Sequence, residues 1–254
     1  MREGAKTDLL GVRGESMGEI VKLLLTSSSI ANASIHDALT NLLEKPIAES
    51  SALFVPTGIY PFPGGGARAW EALSGAGKSP LCNLGWKSLG LLELTALTSI
   101  PRESWVPTLR ETDALLVWGG HVMYLSYWMR RSGLADLLNT LENLVYVGVS
   151  AGSIVLTAHN CDYEWNREFV PPESDVAREG ERALGLVDFA LGVHLDNPDP
   201  MFEDSSSANI ERWAADLAVA TYAIDDQSAL RVTDAGVEVI SEGHWRLFSP
   251  TSTR

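Results

Sequence analysis

The sequence predicts an α/β protein with a doubly wound, mostly parallel central sheet, helices on both faces and a small C-terminal antiparallel unit. Short apolar runs alternate with helix-compatible segments over most of the chain, and this alternation is typical of parallel strands joined by crossover helices. Near the C-terminus four short apolar runs are separated only by tight turns, which favours antiparallel pairing.

Each predicted element follows from a local pattern. The apolar runs predict strands at 20–26, 51–56, 89–94, 113–118, 144–149 and 184–193. Helical patterning predicts helices at 67–73, 122–131, 134–141, 209–218 and 35–43, the last capped by Ser34. The C-terminal strands are expected at 221–224, 229–232, 237–240 and 245–248. Residues 1–16 are polar and glycine-containing, so we expect a flexible extension there and a single domain at 17–254.

Composition excludes several classes of function. The 254 residues are 45% hydrophobic and carry a formal net charge of −14, which suits a soluble domain but opposes binding to nucleic acid or to an anionic membrane surface. No run approaches the roughly 20 apolar residues of a membrane span. Two distant cysteines form no disulfide framework, and the scattered histidines lack metal-ligand spacing. We therefore expect a cytoplasmic protein without metal or other cofactor.

The most informative segment runs from Gly148 to Gly152. An apolar run ends in Gly-Val-Ser-Ala-Gly, and a helix-compatible run follows. This pattern is typical of a nucleophile elbow, a strained strand-to-helix turn that exposes the hydroxyl of Ser150. The alternative is a turn that only requires small residues, because the short motif also occurs by chance.

A serine nucleophile needs a base, and the base needs an acid. His194 lies where a strand is predicted to end, and strand ends in a parallel sheet share one edge, so His194 is the predicted base. The residues alone leave the acid open among the carboxylates Asp162, Glu164, Asp196, Asp225 and Asp226. The oxyanion hole is predicted from the Ala151 amide and the Gly119-Gly120 pair, with Gly120 as the second donor.

With these residues in place, the chain resembles the peptidase E and cyanophycinase family of serine peptidases. The resemblance runs from Val21 almost to the end of the chain, and its motifs occur in the family's order: 117–121, 148–152, 185–189 leading to His194, and 222–230. It implies a fold similar to class I glutamine amidotransferases, with serine in place of their cysteine. It also implies a catalytic triad of Ser150, His194 and an acid after the elbow helix, where Glu164 aligns best and Asp162 is the alternative.

Two departures from the family pattern affect the expected specificity. His121 stands where the family usually has Asn after the double glycine, so this side chain is expected to line the pocket. Peptidase E binds a substrate aspartate through a basic residue after the catalytic histidine, but residues 195–210 contain no Lys or Arg and four acidic residues. Strict cleavage after an N-terminal aspartate is therefore not expected. Carboxylates at the rim would favour a free substrate amine instead.

The resulting expectation is a serine exopeptidase or dipeptidase that acts on short peptides through an acyl-enzyme. Two alternatives stay open, because a fold does not fix its substrate: an amidase or other non-peptidase hydrolase on this scaffold, and a catalytically idle module that binds a small molecule. The expected partner is a small peptide substrate, and the protein is expected to be a monomer or a homodimer.

Overall fold

The computed structural model describes residues 22–77, 80–141, 143–159, 169–170 and 183–250. Its central sheet has seven strands in the order β3-β2-β4-β5-β1-β8-β9. These strands are β1 Lys22–Thr26, β2 Ser51–Val55, β3 Ser88–Leu91, β4 Ala114–Val117, β5 Val145–Val149, β8 Ser228–Thr233 and β9 Gly236–Ser241. Strands β1 to β5 are parallel, and β8 and β9 extend the sheet in antiparallel orientation. The predicted fold class is confirmed.

The predicted C-terminal strands are present, but two sheets share them. Strands β7 Thr221–Ile224 and β10 Trp245–Phe248 pair antiparallel to each other. The short strand β6 Ala190–Gly192 pairs parallel to β7. These three strands form a second, smaller sheet, whereas β8 and β9 belong to the central sheet.

Helices cover both faces of the central sheet. The helices are α1 Ala33–Leu43, α2 Gly65–Ser74, α3 Leu94–Leu97, α4 Val106–Arg110, α5 Val122–Ser132, α6 Leu134–Leu138, α7 Ala151–Ile154 and α8 Ser207–Ala215. Neighbouring residues of β5 enter different cores: Tyr146 packs with α5 and α6, whereas Val145 and Val147 pack with α1. This alternation follows from the two-residue period of a strand, and it explains why the buried strands are apolar on both sides.

Local boundaries differ from the predictions where a polar side chain or a tight turn decides them. Asn32, rather than Ser34, caps α1, because its side chain accepts the N–H of Ile35 at 3.0 Å. The predicted strand at 89–94 ends at Leu91, and Leu94 begins α3, whose first turn is capped by the Glu93 carboxylate. The predicted helix 134–141 ends at Leu138, and the predicted strand 184–193 is reduced to β6.

The remaining predictions concern the termini and the membrane. The expected extension at 1–16 lies outside the described residues. Within the described part of the chain, every helix is too short or too polar to cross a bilayer.

Candidate active site

Ser150 occupies the sharp turn between β5 and α7. Its backbone has φ 52° and ψ −116°, a conformation that costs on the order of 1–3 kcal/mol and persists only where the surroundings enforce it. Two backbone hydrogen bonds do so: the Ser150 N–H donates to the Thr26 carbonyl at 3.0 Å, and the Ser153 N–H donates to the Ser150 carbonyl at 2.8 Å. The Ser150 side chain stays partly exposed at the end of the strand.

The glycines around Ser150 are required by close backbone contacts. A Cβ on Gly152 would lie 2.1 Å from the Val117 carbonyl oxygen, and a Cβ on Gly148 would lie 2.6 Å from the Gly152 carbonyl oxygen. Real Cβ atoms do not approach an oxygen this closely, so both positions need glycine. The buried Tyr146 hydroxyl donates to the Gly152 carbonyl at 2.6 Å and fixes the same turn.

His194 faces Ser150 directly. Its Nε2 lies 2.8 Å from the Ser150 Oγ, which is hydrogen-bond distance. The His194 side chain is largely buried, and the Phe202 ring stacks on the imidazole with 3.9 Å between ring centroids. The backbone of His194 is left-handed, with φ 56°. The predicted pairing of Ser150 with His194 is present in the geometry.

The route by which His194 reaches Ser150 differs from the predicted one. We expected both residues at the edge of one parallel sheet, but β6, which precedes His194, lies in the second sheet. There β6 and β7 run parallel with Gly192 opposite Ala223, so both strands end on the same side. The residues that follow them, His194 and Asp226, are thereby brought together.

Asp226 lies against the far nitrogen of His194. Its Oδ1 is 2.7 Å from the His194 Nδ1, and its Oδ2 accepts the side-chain amide of Asn197 at 2.6 Å. Burial raises the pKa of this carboxyl, but the hydrogen bonds from His194, Ser27 and Asn197 outweigh burial and hold the pKa below its usual value. Asp226 is therefore an ionised carboxylate at neutral pH.

The resemblance had placed the acid at Glu164, with Asp162 as the alternative. Both residues lie outside the described residues. The position facing Nδ1 that was predicted for them is held by Asp226, one of the carboxylates that the residues alone had left open. The sequence held a signal for the pair Asp225-Asp226, which follows the end of a buried strand as His194 does, but not for Asp226 alone.

Ser27, which sequence analysis did not single out, joins the same group. It follows β1, is fully buried and donates its hydroxyl hydrogen to the Asp226 Oδ1 at 2.6 Å. Its Oγ accepts the backbone N–H of His194 at 2.8 Å and lies 3.3 Å from the His194 Nδ1. Thr26 of β1 pairs with Val149 of β5, which brings Ser27 and Ser150 to the same edge of the central sheet.

Two of the predicted oxyanion residues, Ala151 and Gly119, lie next to Ser150. Ala151 begins α7, and Gly119 lies so close that a Cβ there would be 3.2 Å from the Ser150 Cβ. Gly120 has φ 134°, and a Cβ on it would lie 2.1 Å from the Gly58 carbonyl oxygen, so only glycine fits this turn. Their role as donors remains a prediction.

His121 has a structural role that sequence analysis did not predict. Its imidazole is fully buried, and its Nδ1 accepts the Tyr124 N–H at 3.1 Å, which caps α5. Its ring also lies near Phe62 and Phe169. The predicted lining of a pocket by His121 remains a prediction.

The acidic segment after His194 divides into two groups. The Asp196 carboxylate accepts the backbone N–H of Ser207 at 2.7 Å, and Asp199 accepts the N–H of Met201 at 2.9 Å, so both fix local turns. Glu203 and Asp204 are exposed and directly follow Phe202, the residue stacked on His194. Among the described residues there is no cluster of three or more His, Cys, Asp or Glu side chains placed to hold a metal ion.

Comparison with known proteins identifies a relative of this chain. An uncharacterized peptidase, Lin0382, from Listeria innocua serovar 6a is 32% identical over 126 residues, which are 48% of this chain and 56% of that protein. The match thus spans just over half the length of this curated relative.

Two solved structures share the fold. A protein from Listeria monocytogenes EGD-e with a peptidase E designation has a TM-score of 0.55 and 20% identity, over 88% of this chain and 100% of that one. A peptidase from an acI-B1 Actinobacterium has a TM-score of 0.56 and 17% identity, over 93% of this chain and 97% of that one.

The model of Peptidase family S51 matches residues 23–240, which include Ser27, Ser150, His194 and Asp226. The chain belongs to peptidase family S51.

Proposed function

We propose that this protein is a serine exopeptidase that hydrolyses short peptides through Ser150, His194 and Asp226. The observation that carries the proposal is the unbroken series of contacts from the Ser150 Oγ to the His194 Nε2, at 2.8 Å, and from the His194 Nδ1 to the Asp226 Oδ1, at 2.7 Å. A nucleophile, a base and an orienting carboxylate in this order suit acyl transfer.

The chemistry follows from these contacts. His194 accepts the Ser150 hydroxyl proton as the Oγ attacks the peptide carbonyl carbon, and the carbonyl π electrons move to its oxygen. The amides of Ala151 and Gly120 are the proposed donors to this oxyanion. As the C–N bond breaks, His194 delivers the proton to the leaving amine, which leaves an ester on Ser150. Water, deprotonated by His194, then releases the acid product and restores the serine.

Asp226 supports both proton transfers. As an ionised carboxylate it holds the hydrogen on the Nδ1 of His194, so that the Nε2 lone pair faces Ser150, and it stabilises the imidazolium that forms. The stacked Phe202 ring covers one face of the imidazole, which limits the access of water to that face.

We infer that the substrate carries a free α-amine. The exposed residues Glu203 and Asp204 directly follow Phe202, whose ring stacks on the proposed catalytic histidine, and carboxylates attract a protonated amine. Residues 195–210 contain no cation to pair with a substrate aspartate. A broad dipeptidase or exopeptidase specificity is the substrate preference that this charge distribution supports.

A dipeptide panel tests the proposal. We would compare Asp-X dipeptides, dipeptides with an apolar first residue, and N-acetylated forms of both, with Ser150→Ala as the control. The native enzyme should cleave the free-amine peptides without a strong preference for Asp-X. The variant should stay folded and lose up to about 10⁶-fold in kcat.

Each alternative has its own outcome. Retention of more than about a tenth of the turnover by Ser150→Ala would exclude this nucleophile. Equal cleavage of acetylated peptides would exclude recognition of the amine, and a strong Asp-X preference would exclude the broad specificity. Labelling of Ser150 by a fluorophosphonate without cleavage of any peptide would indicate a different class of hydrolase.

A further inference from the structure

Ser27 is in contact with both partners of Ser150 in the proposed triad. Its side chain is fully buried, and its oxygen lies within hydrogen-bond distance of the Asp226 carboxylate and of the His194 backbone N–H. We propose that Ser27 is a positioning residue that fixes the tautomer and orientation of His194. This inference rests on the proposed function, because Ser27 is argued to act on His194 as the catalytic base and not on the substrate.

The direction of the Ser27 hydrogen bonds follows from the number of hydrogens that each group can donate. A hydroxyl has one hydrogen, and an ionised carboxylate only accepts. At 2.6 Å from the Asp226 Oδ1, Ser27 must therefore donate its hydrogen to Asp226. Its oxygen is then free to accept the His194 N–H at 2.8 Å.

This direction has a consequence for the imidazole. The His194 Nδ1 lies 2.7 Å from the Asp226 Oδ1 and 3.3 Å from the Ser27 Oγ, so two oxygens that present lone pairs face it. A bare Nδ1 would add a third lone pair to this group, whereas an Nδ1–H satisfies it. Ser27 thus helps to keep the hydrogen on Nδ1, and it leaves the Nε2 lone pair to accept the Ser150 proton.

Ser27 also acts on the backbone of His194. The φ of 56° at His194 is unfavourable for a residue with a side chain, and such strain persists only where surrounding contacts enforce it. The bond from the His194 N–H to Ser27 is one such contact, and the bond from the Asn197 N–H to the His194 carbonyl at 3.0 Å is another. One hydroxyl from β1 therefore ties the loop after β6 to the central sheet, next to the nucleophile.

Ser27→Ala tests this role, with Ser29→Ala as the matched control. Ser29 lies in the same loop, is equally buried, and donates to the Pro80 carbonyl, away from His194 and Asp226. We expect Ser27→Ala to lower kcat roughly tenfold to hundredfold with little change in KM, because the base is misplaced while the peptide still binds. Ser29→Ala should keep the wild-type kcat.

A pH profile separates positioning from a general loss of structure. Without the Ser27 donor, the Asp226 carboxylate interacts more strongly with the imidazolium, which favours the protonated form of His194. The acid limb of kcat/KM should therefore move to higher pH in Ser27→Ala. A purely structural loss would lower the profile at every pH without moving this limb.

A second variant covers failure to fold. Ser27→Cys keeps the unbranched side chain but carries a larger atom and a weaker donor, and its kcat should lie between those of the wild type and Ser27→Ala. The inference is overturned if a folded Ser27→Ala or Ser27→Cys keeps the wild-type kcat and acid limb while Ser150→Ala is inactive. If Ser150→Ala is itself active, the proposed function fails, and the role of Ser27 fails with it.

Discussion

At the scale of single residues, the geometry adds a candidate for the acid beside His194. Sequence analysis favoured Glu164 because the family resemblance pointed to the segment after the elbow helix. The geometry supports Asp226, whose carboxylate lies against the His194 Nδ1 and is also bound by Ser27 and Asn197. Nothing at the position of Asp226 distinguishes it from Asp225 in the sequence. The difference is one of side-chain direction, because neighbouring residues after a strand point to different partners.

Asp226→Asn and Asp225→Asn form a matched pair that tests Asp226 as the acid. Asparagine at 226 can present its N–H₂ group to the imidazole and so favour the wrong tautomer, which we expect to cost about 10⁴-fold in kcat, as in other serine peptidases. Asp225 accepts hydrogen bonds from Gln227, Ser228 and His244, so Asp225→Asn should lower the melting temperature more than it lowers kcat. Steady-state kinetics and thermal melts measure both effects.

Glu164→Gln and Asp162→Asn complete the comparison. If Asp226 is the acid, both should keep turnover near the wild-type level. A large loss in Glu164→Gln, with activity retained in Asp226→Asn, would return the assignment to the segment after the elbow.

At the scale of elements, the elbow is defined by contacts between backbones. Gly148 and Gly152 each lie against a carbonyl oxygen, so that β5, α7 and the end of β4 pack without side chains between them. The chain around Thr26 adds a further bond, from the Ser153 hydroxyl to the Thr26 carbonyl at 2.8 Å. The glycine spacing in the sequence therefore reports real steric requirements of the turn.

Gly152→Ala should displace the elbow, and Gly66→Ala is its control. A Cβ at 152 would lie 2.1 Å from a backbone oxygen, so the strand or the helix must shift. We expect a loss of about 1–3 kcal/mol in the free energy of unfolding and a strong fall in activity. Gly66 lies in α2 with no atom within 4 Å of its Cβ position, so alanine there should be neutral or stabilise by up to about 1 kcal/mol.

Chemical denaturation measures the free energy of unfolding of the two variants, and peptide hydrolysis measures their activity. Wild-type stability and turnover in Gly152→Ala would contradict the close approach of the elbow to β4.

At the scale of the whole molecule, ionised carboxylates link the active site to stability. Burial raises the pKa of Asp226, but its hydrogen bonds lower this pKa by a larger amount. The pKa of Asp113 is lowered in the same way, by Lys45 and Ser51. The hydrogen bonds from Ser207 lower the pKa of Asp196. For such groups, the stabilisation is complete above the unfolded-state pKa and is lost as the pH falls through the folded-state pKa.

The wild-type protein should therefore lose stability as the pH falls below about 4, the unfolded-state range of aspartate. The Asp226→Asn variant lacks one of these carboxylates, so its free energy of unfolding should fall less steeply over the same range. The two curves should converge at low pH. Urea unfolding at a series of pH values measures this, and parallel curves would show that Asp226 is not held by the contacts described.

The sequence by itself determined the fold class, the elbow and the strand-end position of His194, because each depends on a local pattern. Apolar runs define the strands of the central sheet, and the glycine spacing around Ser150 defines the turn. The sequence did not determine where each element begins and ends. Both Asn and Ser can cap a helix, and only the path of the chain selects Asn32 instead of Ser34 as the cap of α1.

Only the tertiary structure decided which residues surround His194. The parallel pairing of β6 with β7 brings His194 and Asp226 together, and the parallel pairing of β1 with β5 brings Ser27 beside Ser150. Neither pairing has a local signature, because 32 positions separate His194 from Asp226 and 122 separate Thr26 of β1 from Gly148 of β5. The energy that selects these partners comes from burying two sheets against their helices, and this is a property of the whole fold and not of any one segment.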